Sequence, residues 1–249
     1  MRKLVAALAC RNQGSRLYGK PLQNLDIEAG ITILDNIVQC LSSFSVIDTI
    51  VLGISEGNDN LAFIDYARNR DLQYIIGDES DVLSRLIACG ELAEATDIFR
   101  TTSESPFPFL DLIEEGWKDH MDNGADATFL DHIIDGCGFE FIRLQALQES
   151  HARGERKHRS EFCSLYIREH KTDFKIHYLK PPNELIRKDL RFTVDYPEDL
   201  IVCRAIYKTL KQFAPRIPLL DAVKFIDGNA DLKGLISPFC EEGYKTMNL

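Results

Sequence analysis

The chain has 249 residues, of which 45% are hydrophobic and 27% charged, with a formal net charge of -10. That balance fits a globular protein large enough to bury a core without staples, and no apolar run approaches the roughly 18–20 residues of a membrane span. The acidic total argues against a nucleic-acid groove, which carries a basic face, but leaves room for a local pocket that takes a small anion.

The opening MRKLVAALAC runs directly into Arg11 and reads as a first strand rather than a secretory leader. Its segment 4–10 is apolar without alternation, as in a strand buried on both faces. Residues 33–44 place Ile33, Ile37, Val38, Cys40 and Leu41 on one helical face. TIVLGIS (49–55) predicts a second buried strand, 60–70 a helix and 72–77 a third strand. Asp78 or Ser80 stands where a cap is needed for a helix over 81–95. A fourth strand follows over 97–102, a helix opened by Pro108 over 108–121, and a fifth strand over 125–131. Strands alternating with helices predict an α/β fold, with a mostly parallel sheet and helices on both faces.

The second half has a different rhythm. Residues 138–150 read as a strand turning into a helix, 157–170 as a helix with a charged face, and 174–180 as a half-exposed strand. Residues 190–210 read as a strand, a Tyr-Pro turn and a helix with acids in its first turn. A last helix is expected over 219–226, and the polar tail 241–249 is expected to fray. With no repeat or linker, the chain reads as a single domain over 1–249 with a lid-like excursion at 132–188. Phe63, Tyr66, Trp117 and Phe129 read as core. Seven widely spaced cysteines without a C-x-x-C pair read as buried thiols in a reducing, cytoplasmic setting.

The stretch RNQGSRLYGKPL (11–22) stands out in this acidic chain. Arg11, Arg16 and Lys20 sit among Gly14 and Gly19 immediately after the first strand, on the edge where parallel α/β sheets bind ligands. Glycines let a loop turn its N–H groups inward, arginine forks and a lysine neutralise phosphate oxygens, and a following helix would lend its positive end. A merely solvated basic loop has the same composition. Pro21 after Lys20 excludes a Walker A loop, and the spacing is not the dinucleotide G-x-G-x-x-G.

This loop, R-x-x-G-S-x-R-L-x-G-K-P-L, resembles the signature loop of the CMP-sugar synthetases, most of all the 3-deoxy-manno-octulosonate cytidylyltransferases and the spore-coat polysaccharide cytidylyltransferase-like group. The family carries Pro where Tyr18 stands and its Gly-Ser pair one place earlier. IDTIVLGIS (47–55) is similar to the family's second strand, and GDESDVLSR (77–85) to the segment before its third helix. FRTTSESPF (99–107) matches R-x-T-G-D-x-P-L with Glu104 in the aspartate's place, and RFTVDYPEDL (191–200) matches L-T-V-D-x-P-E-D-L. These blocks keep their order across most of residues 4–208.

The resemblance implies a Rossmann-like nucleotidyltransferase fold that uses Mg²⁺ and transfers CMP from CTP to a sugar hydroxyl with release of pyrophosphate. It implies that Arg11, Arg16 and Lys20 clasp the triphosphate, within a nucleotide-binding set that also holds Gly14 and Ser15. The backbone around Leu8 and Ala9, with Ser80 nearby, would meet the base, and Glu104 and Asp195 would hold the metal. Arg11, Lys20 and Asp195 would then be the catalytic set.

The chemistry accords with those residue types. A hydroxyl that attacks an α-phosphorus approaches an anion, and cations lower that barrier. Magnesium keeps several waters, so one or two carboxylates suffice. Glu104 follows the fourth strand and Asp195 ends the TVD strand, which places both on the rim of the cationic loop. The plain alternatives are a surface acid at Glu104 and a helix cap at Asp195. Arg100 must reach a partner, either substrate or a structural ion pair.

Glu140 is a candidate contact for an acidic sugar acceptor, such as a 2-keto-3-deoxy sugar acid for a surface glycan. Gly138 and Phe162 replace an aspartate and a histidine of the spore-coat group, and His158 and Arg159 read as solvated helix residues. The rival readings are another nucleoside triphosphate or a phosphate- or phosphonate-bearing acceptor, and a non-catalytic nucleotide-binding protein on the same scaffold. A nucleotide-sugar glycosyltransferase would want a D-x-D pair after a mid-chain strand, and none stands in that setting. The strand over 174–180 offers a homodimer contact by fold analogy.

Overall fold

A computed structural model describes residues 2–14 and 16–247, with side chains described through residue 243. Its strands are β1 (Leu4–Cys10), β2 (Asn24–Asp26), β3 (Ile31–Thr32), β4 (Thr49–Ser55), β5 (Gln73–Gly77), β6 (Asp97–Arg100), β7 (Ala127–Phe129), β8 (Glu140–Arg143) and β9 (Ile176–Tyr178). Its α-helices are α1 (Ile33–Ser42), α2 (Leu61–Arg68), α3 (Val82–Leu92), α4 (Ile113–Asp122), α5 (Leu144–Arg153), α6 (Leu165–Glu169), α7 (Pro197–Leu210), α8 (Leu219–Asp227) and α9 (Ala230–Met247).

Seven strands form one sheet in the order β5-β4-β1-β6-β8-β7-β9. Strands β5, β4, β1 and β6 are parallel neighbours, and β7 and β9 are parallel to each other. Only β8 runs against its neighbours β6 and β7. The sheet is therefore the mostly parallel one the alternation predicts. Residues 132–188, expected as an excursion, return to the sheet as β8 and β9 and supply α5 and α6.

Side-chain alternation along β1 divides the core in two, because successive strand residues face opposite sides of a sheet. Leu4, Ala6 and Leu8 pack in one cluster with Ile37 and Leu41 of α1, Phe63 of α2, Trp117 of α4 and Ile206 of α7. Val5 and Ala7 pack in the other with Leu83 and Leu86 of α3, Leu147 of α5 and Ile167 of α6. Helices thus cover both faces, and Phe63, Tyr66, Trp117 and Phe129 are core as expected. The seven cysteines are buried free thiols. No helix among the described residues is long and apolar enough to cross a membrane.

Four local expectations are corrected. The helix expected over 157–170 is broken into a turn at Arg156–Arg159 and the short α6. Between them the Arg100 guanidinium binds the Glu161 carbonyl at 2.6 Å, which takes that carbonyl out of any helical ladder. His158 is not solvated: it is buried, accepting from the Glu155 N–H and paired with the Glu169 carboxylate at 2.7 Å. The strand expected at 190–194 makes only an isolated bridge between Asp135 and Arg191. Finally, the chain does not end its helices at 226, since α9 continues from Ala230 through much of the tail expected to fray. Pro238 lies inside α9 and Gly234 and Gly243 punctuate it, so its helical pattern is weak in the sequence.

Candidate active site

Strand register opens the cleft. β4 accompanies β1 to Cys10, but β6 pairs with β1 only as far as Ala6 and Phe99. Beyond that point the two strands diverge, and the chain after each one lines a cleft of roughly 720 Å³ between them. This is the switch point of the sheet, where strand order reverses and where open α/β sheets bind ligands. Ala7, Ala9, Arg11 and Lys20 line it from β1 and its loop, Arg100 and Glu104 from β6 and the segment after it, and Arg85 from α3.

The cationic loop is held in shape by its small residues. A Cβ on Gly14 would lie 2.5 Å from the Leu17 carbonyl oxygen, so the loop closes only on glycine. Gly19 takes a left-handed φ of 61° and donates its N–H to the Asn12 carbonyl at 2.8 Å. Asn12 is itself buried, its N–H donating to Asn60 Oδ1 at 2.8 Å and its side-chain amide to the Asp59 carbonyl. The expected helix directly after the loop is absent. A single 3₁₀ turn, Lys20–Leu22, stands there, and α1 begins only after the β2–β3 hairpin. Backbone turns and side-chain cations, not a helix end, make this rim positive.

Each of the three loop cations reaches across to another segment. Lys20 Nζ lies 2.6 Å from Asp195 Oδ1. Arg16 donates to the Tyr196 hydroxyl at 3.2 Å and lies over that ring. Arg11 pairs with Glu161. Asp195 is also bound through its other oxygen by the buried Arg191 at 2.7 Å. Burial works against the Asp195 carboxylate, but the hydrogen bond from Lys20 and the charges of Lys20, Arg191 and Arg16 hold it below the usual range. Nearby Asp135 goes the other way. Burial pushes its carboxyl up to about 6, opposed by Arg191 and reinforced by Asp195 and Asp199.

Glu104 is half-buried, lines the cleft, and accepts from Ser103 Oγ at 3.1 Å. Its carbonyl accepts the Val194 N–H at 3.1 Å, which brings the segment after β6 alongside the residue before Asp195. The two acids expected to hold a metal therefore lie on adjoining backbone segments, with Glu104 lining the cleft and Asp195 bound to its Lys20. Among the described residues no three His, Cys, Asp or Glu side chains converge as a metal cluster of their own. Two carboxylates still fit magnesium in kind, as hard oxygen donors to an ion whose shell is completed by phosphate and water.

A second chamber of about 740 Å³ adjoins the first, sharing Arg100, Thr101 and Thr102 with it. Glu140 and Arg168 form its polar wall, with Gly138, Phe139, Phe162 and Leu165 around them. Arg100 pairs with Glu140 at 2.9 Å, so its expected partner is found within the protein. Arg168 binds Asp131 through both arms, at 2.7 and 2.9 Å, and Glu140 at 3.0 Å. Burial alone would raise the Glu140 pKa, but Arg100 and Arg168 with the Ser164 hydrogen bond bring it down to about 2.

Other expected contacts fall differently. Leu8 turns its side chain into the core, while Ala9 lines the cleft with its carbonyl accepting from Ser103 Oγ at 2.7 Å. Ser80 is exposed in the loop after β5, bound to Asp78 Oδ1 at 2.7 Å, and does not line the cleft. Ser15 lies outside the described residues. The sequence reading missed Arg85, which is buried under the cleft floor with donors to the Cys10 and Gly53 carbonyls at 3.3 and 2.9 Å. Its place in the quoted block GDESDVLSR was the available signal. Arg168 was missed because its carboxylate partners, Asp131 and Glu140, lie 37 and 28 residues away, and Arg191, though it opens the quoted block RFTVDYPEDL and pairs with Asp195 four residues on, was not singled out.

No family model matches the chain. Over 93% of its length it superposes on a cytidylyltransferase from Leptospira borgpetersenii serovar Hardjo-bovis, with a TM-score of 0.83, 18% identity and 97% of that chain covered. The fold is the Rossmann-like nucleotidyltransferase fold. A CMP:2-keto-3-deoxy-manno-octonic acid synthetase complexed with CTP shares this fold at a TM-score of 0.62 and 13% identity, over 83% of this chain and 99% of that one. In sequence the chain is 24% identical to the uncharacterized protein MJ1063 of Methanocaldococcus jannaschii, over 98% of this chain and 99% of that protein. It is 23% identical to the spore coat polysaccharide biosynthesis protein SpsF of Bacillus subtilis, over 93% of this chain and 97% of that one. The likeness to cytidylyltransferases read from the motifs thus extends along the chain.

Proposed function

We propose that the protein is a Mg²⁺-dependent cytidylyltransferase that transfers CMP from CTP to a hydroxyl of an acidic sugar and releases pyrophosphate. The observation that carries this reading is the Lys20–Asp195 contact at 2.6 Å, which joins a cation lining the switch-point cleft to an acid from the segment before α7. The CTP named in the complex of the octonic acid synthetase supports the choice of nucleotide.

In this reading CTP lies in the first chamber with its triphosphate toward Arg11, Arg16 and Lys20. Those side chains exchange their present partners Glu161, Tyr196 and Asp195 for phosphate oxygens. The acceptor occupies the second chamber, and Arg100, shared by both, stands at the junction. The acceptor oxygen attacks the α-phosphorus, the bond between the α-phosphorus and the bridging oxygen breaks, and pyrophosphate leaves. The rim cations oppose the charge that builds on the phosphates and hold the groups in line. Glu104 and Asp195 would hold magnesium, which when bound neutralises phosphate charge and polarises the α-phosphate.

Arg100 and Arg168 in the second chamber support an acidic acceptor, and the name of the spore-coat relative supports a role in surface glycan synthesis. A phosphate- or phosphonate-bearing acceptor is the second reading. It is favoured by Gly138 and Phe162, which both line this chamber at positions where the sequence departs from the spore-coat group. Buried free thiols support a cytoplasmic setting. We place a homodimer contact at β9, the terminal strand of the sheet, where Tyr178 is 44% exposed.

The test is to incubate the protein with CTP, Mg²⁺ and a panel of sugar acids, neutral sugars and phosphonates, and to follow pyrophosphate release and the mass of any CMP conjugate. Release with CTP and an acidic sugar is expected. Release with another nucleotide alone would replace the cytidine assignment.

A further inference from the structure

Helix α9 begins beyond the last of the sequence blocks that resemble the family, yet it reaches the cationic rim by two routes that meet at Phe239. The first is through its ring, which stacks on Tyr196 with centroids 3.9 Å apart and planes at 14°. Tyr196 in turn holds Arg16, accepting from it at 3.2 Å and lying 4.9 Å beneath its guanidinium. The second route is through the Phe239 carbonyl, which accepts from Arg191 Nη1 at 2.9 Å. Arg191 Nη2 binds Asp195 at 2.7 Å, and the other oxygen of Asp195 meets Lys20 at 2.6 Å.

The close seating of α9 adds an independent observation. A Cβ on Gly243 would lie 2.0 Å from Asp135 Oδ2 and 3.4 Å from Arg191 Nη1. The helix backbone is packed directly on the buried Asp135–Arg191 pair, which only a glycine allows. A long arginine side chain loses rotamer freedom when it grips a ligand. A ring that already holds Arg16 reduces that cost, and a ring backed by a second ring is held more firmly itself.

We propose that Phe239 is a positioning residue for the nucleotide site: its ring fixes Tyr196 so that Arg16 is preset to receive phosphate. The proposal rests on the nucleotide reading above. Substitutions at 239 keep the backbone carbonyl, so they test the ring route alone.

The experiment is calorimetric titration of nucleotide with Mg²⁺. Wild-type protein that binds none of the four nucleoside triphosphates would sink the nucleotide reading itself, an outcome distinct from failure of this proposal. Given wild-type binding of CTP, Phe239→Ala weakens it about five- to tenfold, the scale of one cation–aromatic contact. Phe239→Tyr, which keeps the flat ring, stays within about twofold of wild type. Phe239→Ala added to Arg16→Ala costs no further affinity, because both remove the same interaction. Phe239→Leu keeps the packing volume and guards against loss of fold, and weakens binding at least about threefold. Wild-type affinity in Phe239→Leu, or fully additive losses in the double variant, overturns the proposal.

Discussion

Lys20 and Asp195 are separated by 175 residues of chain and by 2.6 Å in space. One lies in the loop after β1 and lines the switch-point cleft, the other just before α7, and their contact ties the two segments together. Lys20→Ala and Asp195→Ala should each lower turnover at least about tenfold, the scale of one lost electrostatic contact in a transition state. Each should leave the protein folded, since Arg191 still binds Asp195 in the first variant and still binds the Phe239 carbonyl in the second. Steady-state kinetics alongside circular dichroism decides this, and full activity in Asp195→Ala removes the metal assignment.

Glu104 stands where the resembling family has aspartate. Glu104→Asp shortens the reach by one methylene and keeps the oxygen donors, so turnover should be retained within about threefold or improved, whereas Glu104→Gln removes the charge a metal ion needs and should lose about tenfold or more. The ratio of the two rates at saturating Mg²⁺ is the readout. Complete loss in Glu104→Asp points to a different role for this side chain.

Gly14→Ala places a methyl 2.5 Å from the Leu17 carbonyl oxygen. The loop must open to admit it, at a cost on the order of 1–3 kcal/mol. Because the strain falls on the cationic loop and not on the core, the KM for CTP should rise more than the Tm falls. Kinetics and thermal unfolding on one preparation separate the two effects.

Most of the strand and helix order was legible because each element carries its own pattern. LVAALAC and TIVLGIS are continuous apolar runs, and they are β1 and β4 as read. The antiparallel direction of β8 was not legible, since GFEFIRLQAL says strand then helix without saying which way the strand enters the sheet. The site divides along the same line. Arg11, Arg16, Lys20 and Glu104 lie in segments that follow strands and Asp195 lies just before α7, and local sequence marks such segments. Arg85, Arg168 and Phe239 take their positions from partners far along the chain, through contacts no window of sequence contains. Ser80 misleads for the opposite reason: its local setting is that of a turn, and a turn bound to Asp78 is what it makes.

At the amino end of the sheet, away from the cleft, Asp97 is fully buried between Arg2, His120 and Thr96. Burial would raise its pKa, but hydrogen bonds from His120, Arg2 and Thr96 lower it to about 2. A carboxyl with a depressed folded pKa contributes stability that is complete above the unfolded value and is lost as pH falls toward the folded one. The window is therefore about pH 4 down to 2, and the contribution is on the order of 2 kcal/mol. Asp97→Asn should lower the Tm at pH 7 and flatten its decline across that window. A variant whose Tm falls with acid as steeply as wild type removes Asp97 as the cause.

The central claim is that the loop cations and the facing acid form a nucleotide site. Titrating CTP with Mg²⁺ into wild type and into Lys20→Ala by calorimetry tests it most directly. The account predicts a single saturable site in wild type and at least about tenfold weaker binding in the variant. Absence of CTP binding to wild type, or equal affinity in the two proteins, would contradict it.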